Sequence, residues 1–210
     1  MNKSEFNSTW SALHGGAEIK GIVKAWLAIS YSSAKFLSKL RVTPNVLTLL
    51  GVLFAVAMAA NPLSLWAIPL LVLSLYADGI DGSVAIYQKR QSAFGAILDS
   101  VADRISEALW FYVAYRIGAP AWLVLGTYVI ASTQEYARAR LGGLGISDVG
   151  VVTPAERPVR ASFIFIALIS FALSIELVVL ALSILAILQI VGFGLVARFA
   201  HNSLRNNFGA

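Results

Sequence analysis

The sequence alternates between long apolar stretches and short polar segments. The apolar stretches occupy roughly residues 45–61, 64–86, 93–117, 120–140, 158–175 and 177–198. Most approach the ~20 apolar residues that an α-helix needs to cross a bilayer. The helix breakers Asn61-Pro62 and Gly118-Ala119-Pro120 separate neighbouring stretches. The pattern therefore predicts an all-α integral membrane protein with six transmembrane helices.

The segment before the first apolar stretch has a different pattern. From Glu18 to Leu40, apolar and aromatic residues recur among the lysines Lys20, Lys24, Lys35 and Lys39. This pattern is typical of an amphipathic helix in the membrane interface, and a cytosolic helix packed on the bundle would show it too. We therefore divide the chain into an N-terminal cytoplasmic or interfacial segment (1–42), a membrane domain (43–200) and a cytoplasmic tail (201–210).

Composition supports a membrane protein and excludes several kinds of site. Hydrophobic residues make up 58% of the chain and charged residues only 13%, whereas soluble domains carry about 25% charged residues. Because the chain has no cysteine, disulfides, thiolate metal sites and cysteine nucleophiles are excluded. The net charge of +5 is not gathered into one basic domain, so no nucleic-acid partner is expected.

The distribution of basic residues predicts the orientation of the chain. Lysines and arginines precede the first apolar stretch, follow the second, surround the segment between the fourth and fifth, and follow the sixth. The opposite side has only Arg116. By the positive-inside rule, both termini face the cytoplasm. We expect a multi-pass protein of the plasma membrane with its polar site on the cytoplasmic face.

Four aspartates interrupt the second and third apolar stretches, Asp78, Asp81, Asp99 and Asp103. At about 100° per residue, the first two share a face of one helix and the last two share a face of the next. Four carboxylates cannot stay ionised together in a low dielectric, so they must be protonated or bind cations. Carboxylate oxygens favour Mg²⁺, Mn²⁺ or Ca²⁺. The spacing predicts a cation site, which could hold two ions around a phosphate.

The aspartates belong to a longer motif. It reads D-x-x-D-G-x-x-A followed by G-x-x-x-D-x-x-x-D, and its members are Asp78, Asp81, Gly82, Ala85, Gly95, Asp99 and Asp103. The motif resembles the signature of the CDP-alcohol phosphatidyltransferases. The run Thr43-Pro44-Asn45-Val46 resembles the nucleotide-side element of that family, and the six-helix layout resembles its fold. The signature normally continues with an arginine, and Ile86 stands in its place here. Lys89 or Arg90, one turn further on, could supply the missing charge.

The resemblance implies transfer of a phosphatidyl group from CDP-diacylglycerol to an alcohol, with release of CMP. It implies that two Mg²⁺ ions, or Mn²⁺ in their place, are bound by Asp78, Asp81, Asp99 and Asp103. It also implies that Asp103 is the general base. The donor would contact Thr43, Pro44, Asn45, Val46, Gly82, Ala85, Ser92 and Gly95. The family forms homodimers surrounded by membrane lipids, so we expect the same of this chain.

Four arginines flank the segment between the fourth and fifth stretches, Arg138, Arg140, Arg157 and Arg160. Guanidinium groups suit phosphate, and positive-inside anchoring would also explain them. The runs Tyr-x-Arg-Ala-Arg and Glu-Arg-Pro-x-Arg resemble the branch that transfers to inositol phosphate. This resemblance implies inositol 1-phosphate, a phosphorylated polyol, as acceptor, bound by Arg138, Arg157 and Arg160. Glycerol 3-phosphate is the alternative.

Other functions remain compatible with the acidic cluster. A cation transporter would need carboxylates, although acids on a transport pathway ordinarily lie near the midplane, and these lie at one end of their helices. An inactive family member could keep the metal site without turnover. Glu135, beside the arginines, could orient one of them or serve packing alone.

Overall fold

The computed structural model describes residues 1–13, 15–146 and 151–208. Within these ranges the regular structure is all helical, as predicted. The eight helices are α1 (Lys3–Leu13), α2 (Gly21–Lys39), α3 (Pro44–Ala60), α4 (Ala67–Gln88), α5 (Ala93–Arg116), α6 (Ala121–Gly143), α7 (Arg157–Ala172) and α8 (Val178–Phe208).

Helices α3 to α8 fall on the six predicted apolar stretches, and α2 falls on the predicted amphipathic segment. Proline fixes several of the helix starts, because its restricted φ suits the first turn and its missing N–H is not needed there. Helix α3 begins at Pro44, Pro158 lies in the first turn of α7, and Pro120 immediately precedes α6.

Two helical regions differ from the sequence prediction. Helix α1 was not predicted, because it is mostly polar and Phe6 is its one fully buried residue among those described. Helix α8 continues to Phe208, so residues 201–208 of the predicted tail are helical. Residues 209 and 210 lie outside the described ranges.

Two described helices are long and apolar enough to cross a membrane by themselves, Ala67–Gln88 and Val178–Asn206. A third span is possible if Val23–Lys39 and Pro44–Ala60, which are bent by 107°, are counted as one broken span. Helices α3 and α7 have 17 and 16 residues, slightly fewer than the ~20 of a typical span. Helices α5 and α6 carry several charged residues.

Side-chain exposure on two helices is that of a membrane protein. Large apolar residues are exposed on one face of α3, namely Leu49, Leu53 and Val56, and on α8, namely Ile187, Ile190 and Val191. Soluble monomers rarely expose such contiguous apolar patches. Hydrocarbon chains solvate these faces without cost, so the exposure supports a location in the bilayer.

The chain divides into two compact units. The first contains Met1–Ala57 and Pro69–Ser106, and the second contains Met58–Ile68 and Glu107–Ala210. All four motif aspartates and the predicted donor residues belong to the first unit. The predicted acceptor arginines belong to the second.

The first unit has an apolar core between α2, α3 and α4. Its buried members are Ala34, Leu47, Ile80 and Val84. Next to this core α3 and α4 approach closely, because Gly51 has no side chain and Ser74 Oγ donates a hydrogen bond of 2.8 Å to its carbonyl oxygen. This contact lies about one turn before Asp78 on α4, so it positions the start of the aspartate motif.

The second unit packs α6 and α7 against α8. Hydrogen bonds between buried side chains link α8, α6 and the segment before α7. Gln189 Nε2 of α8 donates to Gln134 Oε1 of α6 at 2.8 Å, and Gln134 Nε2 donates to Thr153 Oγ1 at 3.4 Å. A Cβ atom on Gly192 would lie 3.1 Å from Gln134 Oε1. The absence of a side chain at Gly192 therefore leaves room for the amide network, which fixes the segment before α7.

Candidate active site

Three carboxylates converge, one from the second half of α4 and two from the first half of α5. In the described part of the chain, one carboxylate oxygen each from Asp78, Asp99 and Asp103 lies within 4.8 Å of the other two, and all three residues are half-buried. Three anionic oxygens at this spacing repel one another strongly. A hard divalent cation with oxygen ligands would relieve the repulsion, so the residues present fit the predicted metal.

The fourth aspartate of the motif, Asp81, lies in a more buried environment than the other three. Asp81 is 6% exposed and its Oδ2 accepts a hydrogen bond from Thr48 Oγ1. The group of three converging carboxylates does not include Asp81, and its role as a metal ligand stays a prediction. The sequence analysis missed Thr48, although it lies three residues after Asn45 and therefore on the same face of α3.

A cavity of about 450 Å³ opens beside these carboxylates within the first unit. Asp78, Asp81 and Asp99 line it. Six of the eight predicted donor residues also line it: Pro44, Asn45, Gly82, Ala85, Ser92 and Gly95. The other two predicted donor residues, Thr43 and Val46, are the sequence neighbours of Pro44 and Asn45 and do not line the cavity. The volume is that of a typical small-molecule site, about 300–1,000 Å³.

The start of α5 is fitted closely to this cavity. Ser92 caps the helix, since its Oγ accepts a hydrogen bond of 3.0 Å from the backbone N–H of Gly95. A Cβ atom on Gly95 would lie 3.1 Å from Ser92 Oγ and 3.5 Å from Asn45 Oδ1. Glycine at this position therefore allows α5 to approach the first turn of α3.

The end of α4 shows how the missing arginine is accommodated. Ile86 is 5% exposed and packs in an apolar cluster. Lys89, one of the two residues considered as substitutes, forms an ion pair of 3.0 Å with Glu5. Arg90, the other one, lines the cavity. Of the two cations, Arg90 is thus the one placed to meet a bound anion.

Among the lining residues that sequence analysis missed are the aromatic and apolar residues Trp10, Leu13 and Trp26. Trp10 and Leu13 belong to α1, whose polar sequence gave no signal for a packed helix. Trp26 belongs to α2, the helix that falls on the predicted amphipathic segment. These residues give one side of a carboxylate-rich cavity an aromatic and apolar character.

In the second unit, Arg138 forms a bidentate ion pair with Glu156. Its Nη1 and Nη2 atoms donate to the two carboxylate oxygens of Glu156 at 2.9 and 2.7 Å, and Nη2 also donates to the Val151 carbonyl oxygen at 2.9 Å. Glu156 in turn accepts hydrogen bonds of 2.8 Å from the N–H and the hydroxyl of Thr153. The arrangement ties the segment before α7 to the end of α6.

This pair predicts a pH dependence of stability. Burial opposes ionisation of Glu156, but hydrogen bonds from Arg138 and Thr153 outweigh it and lower the pKa of Glu156 from 4.5 to about 2. A lowered pKa stabilises the fold above pH 4.5, and the contribution is lost as the pH falls towards 2. We expect Glu156→Gln to lower the thermal midpoint at pH 7, and the difference from wild type to shrink between pH 5 and pH 3. A difference independent of pH would contradict this, and Glu18→Gln on the surface is the control.

Arg160 is fully buried and held by two carboxylates. Its Nε donates to Glu107, which is also fully buried, and its Nη2 donates to Glu135 at 3.1 Å. Its Nη1 donates to the Ala155 carbonyl oxygen at 2.6 Å. Glu135 also lies 3.6 Å from Arg138 Nη1. Glu135 therefore orients an arginine, one of the two roles that the sequence left open.

The remaining predicted acceptor arginine packs on an aromatic ring. The Arg157 Cζ atom lies 4.9 Å from the centroid of Trp110, which is fully buried. This is cation–π geometry, which favours an arginine held flat against the ring. Arg138, Arg157 and Arg160 thus all lie within one unit, and acidic or aromatic side chains fix each of them.

Comparison with known proteins is consistent with this site. The family model for CDP-alcohol phosphatidyltransferases matches residues 41–197. Phosphatidylinositol phosphate synthase of Corynebacterium glutamicum is 37% identical over 140 residues, which cover 60% of this chain and 63% of that protein. Archaetidylinositol phosphate synthase of Pyrococcus horikoshii is 31% identical over 156 residues, which cover 70% and 80%. The match therefore spans less than two thirds of the Corynebacterium relative's length.

The fold also resembles a solved structure. Phosphatidylinositol phosphate synthase of Mycobacterium tuberculosis, crystallised with manganese and citrate, has a TM-score of 0.70 and 21% identity, and the alignment covers 82% of this chain and 88% of that one. The same protein has also been solved with CDP-DAG bound. At this level of identity the likeness shows the fold alone.

Proposed function

Because the chain belongs to the CDP-alcohol phosphatidyltransferase family, we propose that it transfers a phosphatidyl group from CDP-diacylglycerol to inositol 1-phosphate. CMP is the second product, and the reaction belongs to phospholipid biosynthesis. The observation that carries the proposal is the convergence of Asp78, Asp99 and Asp103 beside a cavity lined by the predicted donor residues. Family membership alone would leave open whether this chain keeps an assembled site.

The proposed chemistry is a displacement at phosphorus. The acceptor hydroxyl oxygen bonds to the phosphatidyl phosphorus, the bond from that phosphorus to the bridging oxygen breaks, and CMP leaves with the bridging oxygen. Asp103 takes the proton from the acceptor hydroxyl as general base. A pair of Mg²⁺ ions, with Mn²⁺ as a substitute, would neutralise the diphosphate and stabilise the leaving CMP. Asp78, Asp81, Asp99 and Asp103 would hold them.

Other residues that line the cavity are proposed to position the donor and the metal ligands. Gly82 is exposed to the cavity, and a Cβ atom there would have no atom within 4 Å, so the donor can approach the α4 backbone closely. Arg90 is placed to meet the donor diphosphate in place of the family arginine. Thr48 fixes the carboxylate of Asp81 through its hydrogen bond.

The acceptor phosphate is proposed to bind the arginines of the second unit. Arg138 and Arg157 are partly exposed, and guanidinium groups held in fixed orientations suit phosphate oxygens. Arg160, predicted for the same role, would have to exchange Glu135 for the phosphate, because its other donor groups face Glu107 and Ala155. Arg138→Lys is the direct test and should raise KM for the acceptor without changing KM for the donor.

We also propose a membrane arrangement for the protein. Helices α3 to α8 are the six spans, both termini and the polar cavity face the cytoplasm, and α2 lies in the interface. The basic residues at the helix ends support this orientation, and the 107° bend between Val23–Lys39 and Pro44–Ala60 supports an interfacial α2 followed by a span. The protein is proposed to act as a homodimer in the plasma membrane.

The test is CMP release by the purified protein in nanodiscs. The assay contains CDP-diacylglycerol, Mg²⁺ and one acceptor at a time: inositol 1-phosphate, glycerol 3-phosphate, serine or free inositol. Asp103→Asn serves as the blank. CMP formed with inositol 1-phosphate alone supports the proposal, and CMP with glycerol 3-phosphate alone moves it to that acceptor.

Two further measurements distinguish the other candidate functions. Binding of CDP-diacylglycerol without CMP release from any acceptor indicates a family member without this activity. Cation flux into sealed proteoliposomes, without donor binding, would indicate a transporter.

Gly82→Ala separates the donor site from fold stability. The added methyl group meets no neighbouring atom, and alanine is favoured over glycine in a helix by about 1 kcal/mol, so the thermal midpoint should stay the same or rise. KM for CDP-diacylglycerol should rise several-fold, because the methyl group enters the cavity. Gly126→Ala on α6, where the added atom also meets nothing, is the matched control. Equal KM values for the two variants would contradict a donor in contact with Gly82.

A further inference from the structure

Helix α1 is mostly polar, and its aromatic residues Phe6 and Trp10 attach it to an apolar cluster of the first unit. Phe6 is fully buried and packs with Leu27 of α2 and Ile86 of α4. The ring of Phe6 lies 5.5 Å from the ring of Tyr31 in an edge-to-face arrangement, and Tyr31 packs on Tyr87 in the same way at 5.8 Å. Helix α1 is thus attached to the first unit through an apolar and aromatic cluster beside the cavity.

Ile86 is part of this anchor. It occupies the position after Ala85 where the family signature has an arginine, and only 5% of its surface is exposed. Ile86 also lines the cavity, and an arginine at this position would replace its apolar contact with Phe6 and Leu27 by a longer, charged side chain. The departure from the family motif is therefore linked structurally to the packing of α1.

A second contact joins α1 to the same end of α4. Glu5 Oε1 lies 3.0 Å from Lys89 Nζ, and the Lys89 side chain is largely exposed while that of Glu5 is partly exposed. Such a surface ion pair contributes little stability, but it adds a second attachment point one residue from Phe6. Together the two contacts fix how α1 is turned about its axis.

This orientation places Trp10 and Leu13 in the cavity lining. Trp26 of α2 also lines the cavity, and it packs on the motif backbone, since a Cβ atom on Gly79 would lie only 2.9 Å from its Cζ2 atom. The cavity therefore combines carboxylates on α4 and α5 with two tryptophans contributed by α1 and α2. The carboxylates suit the metal-bound diphosphate of the donor. The tryptophan rings are uncharged and largely apolar, so they suit an uncharged part of the donor.

We propose that Trp10, together with Trp26, stacks on the cytosine base of the donor, so that α1 is a nucleotide-binding element of the enzyme. The exposed residues of α1 include Lys3, Ser4 and Ser8, and so polar a helix belongs in water and not among acyl chains. The part of a CDP-lipid that extends into water is its nucleotide. Tryptophan faces bind bases by stacking. The inference rests on the proposed function, because it needs a cytidine donor.

The experiment measures binding of CMP to the full-length protein by calorimetry in the presence of Mg²⁺. CMP has no acyl chain, and its binding needs no turnover. Trp10→Ala and Trp10→Leu should each weaken CMP binding about tenfold, while Trp10→Phe keeps most of the affinity because it keeps a ring face. Phe6→Ala, which removes the anchor, should weaken binding as well. Ser8→Ala, an exposed change on the same helix, is the control and should bind as wild type does.

Three outcomes would overturn the assignment. Equal CMP affinity of wild type and Trp10→Leu would show that an apolar side chain suffices, so stacking is absent. Weakened binding of CDP-diacylglycerol in nanodiscs with unchanged CMP binding would assign Trp10 to the acyl chains. A wild-type protein that binds no cytidine nucleotide would remove the proposed donor itself, which sets failure of the proposed function apart from failure of this inference.

Discussion

Asp103→Asn is expected to lower kcat for CMP release by a factor of about 10²–10⁴, the contribution usual for a general base. Asparagine has nearly the same shape as aspartate but cannot take the proton from the acceptor hydroxyl. It also removes one of three carboxylates whose oxygens lie within 4.8 Å of one another. In the absence of metal, the substitution reduces repulsion within the cluster and also removes the attraction between Asp103 and Arg104, whose Nη2 lies 3.9 Å from Asp103 Oδ2. The unfolding temperature of the metal-free variant should therefore stay close to that of the metal-free wild type.

Two measurements distinguish a role of Asp103 in proton transfer from a role in metal binding or in helix structure. Manganese binding followed by electron paramagnetic resonance should persist in Asp103→Asn if its main role is proton transfer, and should fall sharply in Asp99→Asn. Ser100→Ala lies on the same helix, and its hydroxyl donates only to the Ala96 carbonyl oxygen in the contacts described, so it should keep wild-type kcat. A kcat for Asp103→Asn within a few-fold of wild type would refute the base assignment.

Arg160→Met is expected to cause the largest loss of stability. The change leaves the fully buried Glu107 without its cationic partner, and breaking a buried ion pair from one side costs about 3–5 kcal/mol. Glu135 loses a hydrogen bond of 3.1 Å at the same time. The variant should show a strongly reduced unfolding midpoint in detergent, or should fail to accumulate in the membrane.

The double variant Glu107→Leu/Arg160→Met tests the cause. It replaces both charges by apolar side chains, so it should recover much of the stability that Arg160→Met loses. Arg140→Met, at an exposed position near the end of α6, is the control and should be nearly neutral. If the double variant is as unstable as Arg160→Met, then the guanidinium contributes through packing and not through charge balance.

The sequence was sufficient to locate most helices because apolar runs and prolines mark them locally. It was insufficient for α1, whose folding depends on Phe6 meeting Leu27 and Ile86, both distant in sequence. A helix of 11 residues is marginal on its own. Its stability thus comes from a tertiary contact that no local pattern records.

The same distinction applies to the site. Helical spacing predicted that Asp99 and Asp103 share a face, and the structure brings both to Asp78. Spacing could not predict that Asp81 accepts a hydrogen bond from Thr48, because the partner lies on another helix. Nor could it pair Arg160 with Glu107, which is 53 residues away in sequence. Local geometry predicts which side chains can converge, and packing decides which pairs form.

In the proposed membrane arrangement, the bend between α2 and α3 also sets how deep the cavity lies in the bilayer. Segment Val23–Lys39 meets Pro44–Ala60 at 107°, and α2 exposes Ile29 and Phe36 as well as Lys24 and Lys35. With α2 in the headgroup region as proposed, this corner would fix the height of Pro44 and Asn45, which line the cavity. The phosphates of a membrane lipid lie at the same height, so the proposed CDP-lipid donor would reach the cavity by lateral diffusion within its leaflet, with its acyl chains still in the membrane.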